Sequence, residues 1–163
     1  MSLFENEEYQ WRETYFILFQ SAKRPSATAV ASRLKAMDPR YEVTNIRESE
    51  SGQLESLTLF SPDDYAAMDI SFVTGEEVSE QTAPLMKELK KNADPDELDA
   101  IKRIAKCDCR FDVFHFEQLV FVGRTDEEDE DDFMDPGALL MVMEEVAQLC
   151  GGVVVDPQAN ALL

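Results

Sequence analysis

The sequence is poor in the side chains that most often carry catalysis: it has one histidine, His115, and three cysteines, Cys107, Cys109 and Cys150. A general base needs a second group to orient it, and a lone imidazole in strand-type sequence is typical of a packed residue. A small, odd number of cysteines excludes a disulfide framework and indicates a reducing compartment. We therefore expect His115 to be non-catalytic, and the cysteines to be free thiols at helix ends and in the core.

The cysteine spacing also argues against a metal centre. Cys107 and Cys109 are separated by one residue, whereas structural zinc sites space paired cysteines by about two to four residues. His115 and Cys150 could add soft ligands only if the fold brought them close. A Cys–His nucleophile pair is also possible if the fold brings a cysteine close to His115. However, neither Cys107 nor Cys109 lies at a helix N-terminus that would lower the pKa of the thiol. We predict no cofactor and no tightly bound metal.

Basic residues are scarce, with 15 against 34 acids and a formal net charge of −19. Such a field repels phosphate backbones and forgoes the counterion release on which nucleic-acid affinity mostly rests, so direct nucleic-acid binding is not expected. Anionic membranes are disfavoured for the same reason, and no apolar stretch approaches the roughly 20 residues that span a bilayer. Residues 1–8 have no basic region and no apolar run, so a cytoplasmic protein without a secretory signal is predicted.

Glycine is infrequent as well, and no glycine-rich phosphate loop is present. Gly151-Gly152 follows a predicted helix, where a C-terminal cap is expected, and no helix start follows it. Phenylalanines in strand-type sequence do not indicate a platform for stacking bases, because stacking proteins combine their aromatic side chains with basic grooves. We assign to the core Phe16, Phe19, Phe111, Phe114 and Phe116.

The most conspicuous feature that is present is a run of seven consecutive carboxylates inside the chain. Adjacent like charges repel and cannot be buried unpaired, so the run is predicted to be a solvated loop. It is an inert spacer, a place for weakly held cations, or a surface for a basic partner. An EF-hand is not expected, because its sixth position requires glycine. The candidate partner-binding residues are Asp126, Glu127, Glu128, Asp129, Glu130, Asp131 and Asp132.

Hydrophobic periodicity predicts alternating strands and helices. Apolar and β-branched runs indicate strands, and apolar residues repeating every three to four positions indicate helices. The run at 15–19 is apolar throughout and is typical of a central strand covered on both faces, whereas the strand at 68–72 alternates and is expected near an edge. Strands are predicted at 15–19, 41–46, 54–60, 68–72, 111–122, 153–155 and 161–163, and helices at 26–37, 78–89, 94–105 and 136–150.

Local signals mark several boundaries. Ser26 is a candidate helix N-cap, and Asp94-Pro95 and Asp135-Pro136 resemble cap-and-proline helix starts. Gly52 suits a positive φ angle between two strands of a hairpin. Pro84 must either kink its helix or stand in the first turn. The segment 111–122 is read either as one long strand or as two strands folded back near Glu117.

These elements indicate an α+β fold with a mostly antiparallel sheet and helices packed on one face, ferredoxin-like or a variant of it. Two pseudo-repeated βαββ units are an option, because strand, helix, strand, strand occurs in both halves. We expect a single globular domain over residues 1–163 with an acidic loop at 124–135. The predicted core comprises Ile17, Phe19, Val30, Leu34, Leu59, Ile70, Phe72, Leu85, Ile101, Phe111, Val142, Val146 and Val154.

Three functions are consistent with the sequence. The first is a small bacterial-type cytoplasmic protein that binds a protein partner, or itself, through a sheet edge or helix face. The second is an acidic inhibitor or nucleic-acid mimic that binds a basic partner. The third is a carboxylate-dependent enzyme, for which the candidates beside predicted strand ends are Asp63, Asp64, Asp69 and Glu117.

Overall fold

The computed structural model describes Leu3 and residues 6–62, 66–118 and 137–163 of the chain. Two short 3-10 turns, Ser21–Lys23 and Pro95–Glu97, accompany the main elements. The main elements are β1 (Tyr9–Phe19), α1 (Ala27–Met37), β2 (Glu42–Glu48), β3 (Leu54–Ser61), β4 (Ala66–Thr74), α2 (Glu76–Asn92), α3 (Leu98–Ile104), β5 (Cys109–Gln118), α4 (Gly137–Cys150), β6 (Val153–Asp156) and β7 (Ala161–Leu162).

All seven of these strands join one sheet in the order β2-β3-β4-β5-β1-β6-β7. Every neighbouring pair is antiparallel. The predicted α+β class with an antiparallel sheet is therefore confirmed. The sheet is larger than that of the ferredoxin-like plan, which has four strands.

The element order strand, helix, strand, strand does occur twice, as β1-α1-β2-β3 and as β5-α4-β6-β7. The two copies are placed differently in the sheet, because β4 separates β3 from β5 whereas β6 pairs directly with β1. The duplication therefore stays a prediction.

Helices cover both faces of the sheet, so the expectation of helices on one face was wrong. Side chains of α1 and α4 pack with Ile17, and side chains of α2 and α3 pack with Leu18. Successive residues of a strand point to opposite faces, so these two clusters lie on opposite sides. We call the side of Ile17 the first face and the side of Leu18 the second face. The apolar run in β1 is buried on both faces, as its composition predicted.

Two of the predicted boundary signals, Ser26 and Gly52, act as expected. The Ser26 hydroxyl accepts a hydrogen bond from the Ala29 amide at 3.1 Å and caps α1. Gly52 has a φ of 81° in the β2–β3 hairpin. Asp94 makes no side-chain cap, because Pro95–Glu97 forms a 3-10 turn and α3 begins only at Leu98. Pro84 lies inside α2, not in its first turn. The predicted start at Asp135-Pro136 lies outside the described residues.

The predicted core is confirmed. Ten of the thirteen residues are buried, and the other three, Phe72, Leu85 and Val154, are half-buried and packed against the core clusters. The strand predicted near an edge, β4, lies between β3 and β5, so it has a paired neighbour on each side. Its alternation has a different cause: Ile70 points to the covered first face, while Asp69 and Ser71 point to a part of the second face that no described helix covers.

Candidate functional site

An apolar groove of about 660 Å³ lies at the β7 edge of the sheet, between α3 and α4. Helix α4 contributes Leu140, Met143 and Ala147, and the end of the chain contributes Leu162 and Leu163. The groove exists because α3 packs on the second face and α4 on the first, while β7 between them has only two residues. Helices α3 and α4 therefore form the walls of the groove on either side of the short edge strand.

Helix α4 exposes two large apolar side chains, Leu140 and Met141. Its run 138–143 is apolar on every side, a pattern that is typical of a helix covered all round. The first-face packing covers Leu139, Val142 and Met143, but Leu140 is 38% and Met141 61% exposed, and Leu163 across the groove is 55% exposed. Exposed apolar side chains gathered in one place are characteristic of interaction surfaces.

Two opposite charges line this groove. Arg103 stands on the α3 wall and Glu144 on the α4 wall, and both are exposed. Among the described residues, neither side chain has a hydrogen-bond or ion-pair partner. The groove is thus locally neutral in a chain with a formal charge of −19.

A second, polar depression of about 310 Å³ lies on the second face, over β2, β3 and β4. Helices α2 and α3 pack against apolar side chains of β1, β4, β6 and β7. Among the described residues, no apolar side chain of β2 or β3 belongs to this cluster. Consequently the side chains of Arg47, Ser56 and Asp69 line an open depression.

Next to this depression, Arg110 forms a buried polar contact between β5 and α2. Its Nε lies 2.7 Å from Asp112 Oδ1, its NH1 lies 2.6 Å from Gln81 Oε1, and its guanidinium stacks 4.0 Å above the Phe16 ring. Burial raises the pKa of Asp112, Arg110 opposes that rise, and Glu77 adds to it. Asp112 pairs with Arg110 within β5, and the hydrogen bond from Arg110 to Gln81 ties α2 to the sheet.

His115 lies on the first face and is 9% exposed. Its Nδ1 is 3.3 Å from Glu13 Oε1, and the hydroxyl of Tyr15 donates to the same oxygen at 3.1 Å. Burial lowers the pKa of His115, and Glu13 only partly offsets this. The imidazole is therefore neutral and held by strand neighbours, as expected of a packed residue.

The three thiols are free, and their environments disfavour the thiolate. Burial raises the pKa of Cys107 and Cys150 to about 11 and that of Cys109 to about 12. Cys109 and His115 are on the same strand, six residues or about 20 Å apart, so they cannot form a nucleophile pair. The part of the chain that the structure describes contains no group of three or more potential metal ligands.

The carboxylates proposed for catalysis do not converge. Asp69 lies on the second face beside Thr58, whereas Glu117 shares the first face with His115 and pairs with Arg12 at 3.4 Å. Asp63 and Asp64 are outside the described residues. So is the whole acid run, Asp126 to Asp132, whose role as a solvated partner-binding loop stays a prediction.

Sequence reasoning named Asp69 as a candidate carboxylate but missed the other residues that line the two depressions. The all-round apolar run in α4 could have indicated the groove, because a helix of that kind needs a cover on each side. No local signal could have joined Arg47 to Asp69, which are 22 positions apart in sequence.

No described helix is long and apolar enough to cross a membrane. Searches of protein-family models, curated proteins and solved structures find no match to this chain.

Proposed function

We propose that this protein acts by binding, not by catalysis, and that its binding surface is the apolar groove at the β7 edge, which takes a second copy of the chain. The observation that carries the proposal is the exposed apolar surface of Leu140 and Leu163, which line the groove beside an edge strand. Covering such surface removes it from water and favours association. A cytoplasmic location without cofactor, membrane or direct nucleic-acid contact belongs to the same proposal.

The two edges of the sheet differ in a way that supports this choice. Edge strands attract other chains unless charges or irregular geometry prevent pairing. Strand β2 carries Glu42, Arg47 and Glu48, its register with β3 shifts on both sides of Arg47, and Asn45 has a φ of 51°. Strand β7 has only Ala161 and Leu162, carries no charge, and is followed by the apolar Leu163. The β7 edge is therefore the better surface for another chain.

Charge favours a second copy in one orientation. In a two-fold contact, Arg103 of one copy can face Glu144 of the other, and the same pair then occurs twice. The chain carries a formal net charge of −19 and repels a second copy, which favours a contact centred on this locally neutral groove.

Analytical ultracentrifugation at micromolar to submillimolar concentration tests the proposal. The wild type should form dimers, and association should strengthen as salt screens the net repulsion. Leu140→Glu should abolish the dimer, whereas Ile46→Glu, at an equally exposed position on the β2 edge, should leave it unchanged. Arg103→Glu should weaken dimerisation, and Arg103→Glu with Glu144→Arg should restore it. A wild-type chain that stays monomeric throughout contradicts the proposal.

The acid run supports a second candidate, the binding of a basic partner. Asp126 to Asp135 supply eight of the 34 acids and no base, and such a dense charge steers a basic surface toward itself. This function could coexist with dimerisation, because the two surfaces share no residue.

A further inference from the structure

The polar depression on the second face is independent of the groove and has features of a small-molecule site. Its lining joins one cation, Arg47, one carboxylate, Asp69, and the hydroxyls of Ser56 and Ser71. Within the described chain, Arg47 and both serine hydroxyls have no hydrogen-bond partner. A depression that gathers unsatisfied donors and acceptors is suited to a polar ligand.

Strand register places these groups in one patch. Arg47 of β2 lies opposite Ser56 of β3, and Ser56 lies opposite Ser71 of β4. These three side chains form a row across the sheet that starts at a guanidinium and continues through two hydroxyls. A guanidinium together with hydroxyl donors matches a carboxylate in both geometry and charge.

Asp69 lies in the adjacent row, opposite Thr58. The Thr58 hydroxyl donates to Asp69 Oδ1 at 2.5 Å and fixes the carboxylate at the floor of the depression. No other hydrogen bond to this carboxylate occurs among the described residues, and Arg47 makes no ion pair with it. The second oxygen therefore remains able to accept from a cationic donor such as an ammonium group.

We propose that this depression binds a small zwitterion, namely a short peptide whose free carboxylate meets Arg47 and whose ammonium group meets Asp69. Strand spacing separates the Cα atoms of Arg47 and Asp69 by about 12 Å, and strand side chains stand roughly perpendicular to the sheet, so their charged ends are separated by a similar distance. Two hydrogen bonds of about 3 Å each leave roughly 6 Å between them. An extended dipeptide spans at most about 7 Å and matches that gap. Ile46, which is 44% exposed, supplies apolar contact for one aliphatic side chain.

Amide NMR spectra of the full chain test this site with three matched probes. Glycyl-leucine carries both charges, N-acetyl-glycyl-leucine only the carboxylate, and glycyl-leucine amide only the ammonium group. Glycyl-leucine should shift the amide signals of Arg47, Ser56 and Ser71 in a saturable titration. Each singly charged probe should bind at least tenfold more weakly, which corresponds to about 1.4 kcal/mol.

Two variants assign the charges. Arg47→Gln should lower the affinity for glycyl-leucine at least tenfold and leave the weak binding of the amide unchanged. Asp69→Asn retains an acceptor for Thr58, so it should preserve the fold while lowering the affinity for glycyl-leucine and leaving the acetylated probe unchanged. Ser79→Ala, at an exposed position of α2, is the control. Titrations without shifts at these amides, or with equal shifts in Arg47→Gln, would overturn the proposal.

Discussion

Gly152 lies so close to Ile17 that a Cβ atom on the glycine would come within 2.8 Å of Ile17 Cγ2. The same atom would lie 3.0 Å from the backbone oxygen of Leu18 and 3.1 Å from Cys150 Sγ. A backbone oxygen in the central strand cannot yield as a surface side chain can. The close approach of the α4–β6 connection to β1 therefore requires glycine at this position.

Gly152→Ala should lower the free energy of unfolding by about 1–3 kcal/mol, because the added methyl group overpacks the core. Urea denaturation of the variant and the wild type measures this difference. Gly152→Ser adds one further atom and should cost at least as much. An unchanged denaturation midpoint in both variants would show that the connection moves freely away from β1.

Leu34→Ala should cost about 2–5 kcal/mol of unfolding free energy, and Val146→Ala somewhat less, because both side chains are fully buried on the first face. Leu98→Ala is a suitable control, since Leu98 is 41% exposed. Thermal melts of the three variants give the comparison. Equal losses at Leu34 and Leu98 would contradict the placement of α1 against the sheet.

His115 should make the protein less stable in mild acid. Its pKa is lowered in the folded state by burial, whereas the unfolded chain takes up a proton near the ordinary value of about 6.5. The unfolded state then binds more protons as the pH falls below that value, so stability decreases on acidification until the folded-state pKa is passed. In His115→Gln, the unfolding free energy from urea denaturation should fall less between pH 7 and pH 5 than in the wild type. An identical pH dependence in both proteins would exclude this role of His115.

The thiols should react slowly in the folded protein. With their pKa values raised to about 11 and 12, little thiolate is present at pH 8, and Cys109 and Cys150 are also buried. A colorimetric disulfide reagent should modify Cys107 first and slowly, and all three cysteines quickly in denaturant. Cys107→Ser should remove the first phase, and rapid native modification of Cys109 would contradict the burial of β5.

Neutralising the acid run should leave the fold intact. If residues 126–132 are a solvated loop, replacing Glu127, Glu128, Asp129 and Glu130 by serine or asparagine removes only mutual repulsion. Stability should rise slightly at low salt, and the gain should shrink as ionic strength increases. Marked destabilisation would mean that these carboxylates are paired or hold a cation. A basic partner, if one binds there, should associate more slowly with this variant.

Much of the secondary structure could be predicted from local patterns. The spacing of Val30 and Leu34 predicts a buried helix face, and the apolar run at 15–19 predicts a buried strand. The structure buries Val30 and Leu34 and most of the run. Strand β1 begins six residues earlier than predicted, at Tyr9. The first half of β1 contains charged residues, so the apolar pattern did not indicate a strand there. Backbone hydrogen bonds to β5 hold this half in the sheet.

The sequence by itself determined the α+β class, the core and the acidity of this protein, because periodicity and charge are properties of neighbouring residues. Only the tertiary structure decided that helices cover both faces, that β4 pairs on both sides, and that Arg103 and Glu144 line opposite walls of one groove. Those relations depend on which strands pair, and the pairing strands are distant in sequence. Their pairing requires the closure of long loops, which costs conformational entropy, and it must bury both faces of the sheet at once. No local pattern contains that information.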